Sequence, residues 1–190
     1  FLRKLRLGKH VKVVQHGHFK SVNNKFNPIQ GITTDAVFLA NENTSTSLEE
    51  IEFGFQVWQK NMDSLVGYQP YSHKTIGKKN YQFFSSSYAG SYSMVSSNAM
   101  FMKSDFLHAY SCLLSEQVHH FVDQHPECAD IAINMLVSGM TGVAPVLVDG
   151  FSLPNTNAPL LGSQCIEGLV RFFNGQNTLV FNNQIIKGIV

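Results

Sequence analysis

Apolar side chains run without alternation through residues 36–40, Ala36-Val37-Phe38-Leu39-Ala40, and stop at Asn41-Glu42-Asn43-Thr44. Continuous apolarity over so short a length predicts a strand buried on both faces, as in a parallel sheet. Just beyond it, Ser47 and Glu50 have the spacing of a capping box, each side chain satisfying a free backbone N–H at a helix start. Leu48, Ile51, Phe55 and Trp58 recur at the interval of one helical face, with Phe55 and Trp58 as core residues, and this helix is predicted to end near Asn61. Residues 11–15, 65–68, 92–95 and 146–148 read as further strands. Residues 104–111, 115–124, 129–138 and 166–173 read as helices, with Pro126 breaking the second from the third and Gly139 or Gly142 ending the third. The polar stretch 20–28 is a loop or short helix stopped by Pro28. Residues 69–90, rich in Ser, Lys, Gly and Tyr, read as a long mobile loop, and residues 150–164 are loop-like. Strands alternating with helices imply an α/β fold with a mixed sheet. Ligands of such sheets bind beyond the carboxyl ends of the strands, which points to the turn Asn41-Glu42-Asn43.

Length and charge narrow the classes. A chain of 190 residues is one domain with one core. Only 14% of it is charged and its net charge is +1, so it has no electrostatic footprint for nucleic acid and is no disordered charged tail. The uncharged, largely apolar run 131–148 is interrupted by Asn134, Gly139, Gly142 and Pro145 and reads as helix, turn and strand rather than a membrane span. No signal peptide is read, and a start at Phe1 suggests a piece of something longer. Cys112, on an aromatic helix pattern, is expected to be a small buried hydrophobe. Pairing of Cys128 with Cys165, leaving Cys112 free, is one arrangement that three cysteines allow, and none has metal-ligand spacing. His16 and His18 beside Gly17, and His119 and His120 on a solvent-facing helix, are expected to be surface histidines.

From Asn23 to Val148 the sequence resembles the C-terminal glycosyltransferase domain of the exostosins and exostosin-like proteins, glycosyltransferase family 64. The residues that carry the resemblance are Ala36-Val37, the helix string from Leu48 to Trp58, Leu65-Val66-Gly67, Tyr92-Ser93-Met94-Val95, Cys128-Ala129-Asp130-Ile131-Ala132-Ile133-Asn134 and Cys165-Ile166. The resemblance implies a GT-A-like, Rossmann-related mixed sheet flanked by helices in a single domain. It implies a UDP-sugar donor with manganese (Mn2+), and transfer of a sugar, N-acetylhexosamine, to a glycan acceptor. Animal members build heparan sulfate and plant members glycolipid head groups.

Carried onto this sequence, the family's metal-binding aspartates fall on Asn41-Glu42-Asn43. That leaves Glu42 and Asn43 as the implied metal ligands and Lys25, Asn41 and Glu42 as nucleotide-binding residues. Amides in place of carboxylates remove most of the attraction for a hard cation. Lys25 stands where the family has an arginine and keeps the charge without the bidentate fork, while Lys20 takes an asparagine's place. The family's acidic pair becomes Ala129-Asp130, so Asp130 is the implied catalytic residue. Cys128 and Cys165 match the family's disulfide, which implies a Golgi or endoplasmic reticulum lumen reached through a membrane anchor outside this chain. With 35 residues ahead of Ala36, residues 1–190 are expected to be a partial domain lacking the first nucleotide-binding strand and helix. The alternative reading is a catalytically inactive relative that serves as partner subunit of an active paralogue, in a homo- or hetero-oligomer. Asn43-Thr44-Ser45 is the chain's one N-glycosylation sequon.

Overall fold

The computed structural model describes residues 11–14, 20–42, 44–77, 80–149 and 161–188. Its main sheet has five strands in the order β1-β6-β2-β7-β8: β1 Ala36–Ala40, β2 Val66–Gly67, β6 Ala99–Lys103, β7 Val146–Asp149 and β8 Ile185–Lys187. β6 pairs antiparallel with both β1 and β2, whereas β2, β7 and β8 pair in parallel. Four strands therefore run one way, and their carboxyl ends share an edge with the start of β6.

The alternation on each strand divides the core into two layers. Ala99, Phe101, Val146 and Val148 face helix α1 (Leu48–Gln59), and pack with Val57, Trp58 and Tyr68. Met100, Met102 and Leu147 face the other way, into a larger cluster with Tyr110, Val122, Ile131, Met135 and Leu169. Those residues come from α2 (Asp105–Leu113), α3 (Glu116–Gln124), α4 (Ala129–Thr141) and α5 (Gly162–Phe172). Sandwiching apolar strands between helices is the burial that an unalternating strand sequence requires. The mixed α/β arrangement is the GT-A-like one expected.

Helix ends follow local chemistry. Ser47 and Glu50 form the capping box at α1, Ser115 caps α3 by accepting from Val118 N–H, and Gly142 ends α4 at φ 72°. Gly54 sits mid-helix in α1 because a Cβ there would lie 1.9 Å from the hydroxyl of Tyr68, which donates to Glu50 O at 2.8 Å.

Several expectations are corrected. Residues 69–90 are not one long loop: β3 (Pro70–Ile76) and β4 (Asn80–Phe84) form a hairpin that joins β5 (Met94–Val95) in a second, three-stranded sheet. Tyr71, Ser72 and His73 are buried in that hairpin, and Lys74 in the same strand is exposed. Residues 11–14 form no strand and are exposed, and Gln15 lies outside the described residues. β1 is an antiparallel edge strand and only half-buried, since no strand among the described residues lies beyond it. Leu48 is exposed rather than on the inner face of α1, and Phe55 is half-buried. Cys112 is exposed and free because α2 turns Phe106, Leu107, Ala109 and Tyr110 inward instead. His119 does not face solvent: its Nε2 lies 3.0 Å from Tyr110 O and its ring packs on Tyr110. His16 and His18 lie outside the described residues. The Cys128–Cys165 disulfide is present, with Cα atoms 5.2 Å apart, and ties the start of α4 to α5. Among the described residues no helix is long and apolar enough to cross a membrane.

Besides the pairing of β8 with β7, the C-terminal segment is held by Tyr92. Tyr92 exchanges both backbone hydrogen bonds with Asn182, its hydroxyl accepts from Leu147 N–H and donates to Gln184 O.

Candidate functional site

The site begins with a 3-10 helix, Val22–Phe26, that the chain bolts to the helical layer. Ser21 accepts from Asn23 N–H and donates to Asp123 at 2.5 Å. Asn23 donates to His119 O and Asp123 and accepts from Tyr110, while Phe26 is buried against the Tyr110 ring. These contacts leave one basic side chain of the turn, Lys25, aimed at the first turn of α4.

Lys25 Nζ lies 3.0 Å from Asp130 Oδ1, 2.7 Å from Ser97 Oγ and 4.8 Å from the centre of the Phe26 ring. Asp130 also accepts from the Ser97 hydroxyl through Oδ1 and from Ser96 through Oδ2. Its side chain is 15% exposed. Burial works to raise its pKa, but the Lys25 charge and the hydrogen bonds from Ser97, Lys25 and Ser96 outweigh it and hold the carboxyl below its ordinary value. The position at the start of α4 favours the anion further. Asp130 is therefore a fixed carboxylate and a weak base.

Asn134, one turn along α4 and fully buried, holds the neighbouring strand end in place. Its amide accepts from Val95 N–H at 3.0 Å and donates to Val95 O at 2.8 Å, as a paired strand would. That contact sets the link 96–98 between β5 and β6. Ser96 and Ser97 turn to Asp130, and Asn98 O accepts from Asn41 N–H at 3.2 Å and from the Thr44 hydroxyl at 2.5 Å. Thr44 also lies 2.9 Å from Asn41 Oδ1 and accepts from Asn41 N–H. One hydrogen-bonded chain thus runs from Lys25 through Asp130 and residues 96–98 to the turn after β1, at the carboxyl edge of the sheet.

The sequence-derived site residues divide accordingly. Lys25 and Asp130 touch directly, and Asn41 joins them through Asn98. Glu42 is exposed, Lys20 is exposed, and Asn43 with its sequon lies outside the described residues. Ala129 is 1% exposed in the core, so the carboxylate missing there would have had apolar neighbours. Ser96, Ser97, Thr44 and Asn134 were not singled out from the sequence. The available signals were Ser96-Ser97-Asn98 as a polar break between two apolar runs, and Asn134 as the one polar residue of 131–137.

The described residues of the site do not fit a divalent cation. Glu42 is a single exposed carboxylate, the Asn41 amide oxygen sits against Thr44, and Asp130 already carries an ammonium. A hard cation needs several anionic oxygens at once. Among the described residues, the one cluster of three metal-ligating side chains is Glu127, Cys128 and Cys165, whose sulfurs are joined to each other.

Comparison with known proteins bears on this edge of the sheet. The model of the glycosyl transferase family 64 domain matches residues 3–160. Exostosin-1a of Danio rerio and exostosin-1 of Mus musculus are each 35% identical over 136 residues, which is 72% of this chain but 19% and 18% of those proteins. Glycosylinositol phosphorylceramide mannosyl transferase 1 of Arabidopsis thaliana is 29% identical over 178 residues, covering 86% of this chain and 53% of the relative. The chain therefore spans under a fifth of the exostosin-1 proteins and about half of the plant one. The family match takes in Lys25, the turn after β1 and Asp130 together, and with it the chain belongs to glycosyltransferase family 64.

Proposed function

We propose that this domain handles a UDP-sugar and passes its sugar, an N-acetylhexosamine, to a glycan acceptor in the lumen of the Golgi or endoplasmic reticulum. The observation that carries the reading is Asp130, kept ionised by Lys25, Ser96 and Ser97 at the carboxyl edge of the sheet. A carboxylate has about four lone-pair sites, and three donors are in place, so one acceptor site remains for a sugar hydroxyl. Asp130 in this role orients the sugar rather than removing a proton, because a carboxyl held this acidic is a poor base near neutral pH. The Cys128–Cys165 disulfide supports an oxidising compartment. In the test, the full-length protein is given UDP-N-acetylhexosamines together with a glycan acceptor, and released UDP and the extended acceptor are measured. The expected result is turnover by the wild type and a loss of about tenfold or more in Asp130→Asn, in keeping with one removed positioning contact.

A second reading is favoured by the neutral residues at 41 and 129: the domain binds but does not turn over, and serves as partner subunit to an active paralogue. Folded protein that releases no UDP from any UDP-sugar, yet co-purifies with such a paralogue, replaces the first reading by the second.

A further inference from the structure

We infer that Lys25 supplies the positive charge of this site in place of a divalent cation, so that a diphosphate-bearing ligand binds here without metal. The inference rests on the UDP-sugar reading above and adds the means of charge compensation. A diphosphate entering a neutral cleft needs a counter-charge, and the described residues of the turn after β1 do not suit a metal: they offer exposed Glu42 and an Asn41 amide engaged by Thr44. Lys25 is the cation that the fold brings to the same network. Its ammonium has three N–H groups, of which one meets Asp130 and one Ser97. The third has no partner among the described residues, and 36% of the side chain is open to solvent. The Phe26 ring and the carboxylate fix the head group, so little side-chain entropy is lost when a phosphate oxygen arrives. The same ammonium repels any divalent cation that approaches Asp130.

Asp130 partly offsets the charge that Lys25 presents, and this makes the inference testable. UDP binding to the full-length protein is measured calorimetrically in EDTA and in manganese. We expect equal affinities in both. Asp130→Asn, which releases Lys25 from its counter-ion, is expected to bind UDP about tenfold more tightly in EDTA, the scale of a charge-assisted contact. Lys25→Met alone leaves a carboxylate without its counter-ion and endangers folding. The double variant Lys25→Met/Asp130→Asn keeps the site neutral, and is expected to lose UDP binding while unfolding cooperatively like the wild type. Manganese that tightens wild-type binding about tenfold or more overturns the inference and leaves the UDP-sugar reading standing. A folded double variant that binds UDP like the wild type also overturns it. No UDP binding under any condition overturns both.

Discussion

His73 is 3% exposed, and its proton is placed by its neighbours. Asn177 Oδ1 accepts from Leu179 N–H, which turns its amide nitrogen to His73 Nε2 at 2.8 Å. Nε2 therefore accepts, and Nδ1 carries the hydrogen that it donates to Ser93 at 2.7 Å. Burial pushes the pKa down to about 4. The unfolded chain binds this proton below its ordinary value near 6.5, whereas the folded protein refuses it until about pH 4. Stability should thus fall as pH drops through that window, by about 3 kcal/mol from this residue. Urea unfolding at several pH values checks it: His73→Gln should flatten the loss between pH 6.5 and 4, whatever its stability at neutral pH. Asp130 contributes separately and at lower pH, since its depressed folded pKa gives stability that is lost as pH falls through it. At this scale the sequence told us which chemistry to expect but not its partners. Lys25 and Asp130 are 105 positions apart, and no local pattern links them. Ser96 and Ser97 look like linker residues until Asn134 is seen to hold the strand beside them.

Elements meet here through small residues as much as through large ones. Ala is intrinsically better than Gly in a helix by about 1 kcal/mol, yet Gly54→Ala should destabilise the protein by about 1–3 kcal/mol because the new methyl meets the Tyr68 hydroxyl. Chemical denaturation of Gly54→Ala, Tyr68→Phe and the double variant reads the contact: the double should be more stable than the sum of the singles. A Gly54→Ala protein as stable as the wild type would refute the close approach of α1 to the sheet. The legibility of elements followed their local signals. α1 announced itself through Ser47 and Glu50, and α4 through the Pro126 break before it and a glycine stop, Gly139 or Gly142, of which the structure uses Gly142, because helix ends are chemistry between near neighbours. β6 was hidden in the apolar stretch Ala99-Met100-Phe101-Met102, too short to choose between strand and helix start. The β3–β4 hairpin was hidden because polar residues are buried on both faces of β3: His73 is held by Ser93 and Asn177, and Ser72 is buried with no hydrogen-bond partner for its hydroxyl among the described residues.

For the molecule as a whole, the disulfide is the longest-reaching covalent constraint, closing a separation of 37 residues. The chain-entropy model gives about 4 kcal/mol for a loop of that length. Cys128→Ala/Cys165→Ala should therefore unfold at markedly lower urea, with the 96–98 link disturbed through α4 and UDP affinity reduced. An unchanged unfolding midpoint would mean that packing of Cys128 and Cys165 in the core suffices without the bond. The fold class was legible because strands and helices alternate, but the strand order was not: β6 opposes its neighbours and lies between β1 and β2, far from its place in the chain.

The same strand order has a consequence for synthesis. β8 is made of the last described residues, and the Tyr92 hydroxyl waits for Gln184 O. As the ribosome delivers the chain from its amino end, β1, β2 and β6 can pair early, but β7 keeps an open hydrogen-bonding edge until residues 185–187 clear the exit tunnel. Until those residues emerge, the nascent domain carries the strand beside β2 in its ligand-facing sheet unpaired on one side, in need of shielding from its neighbours.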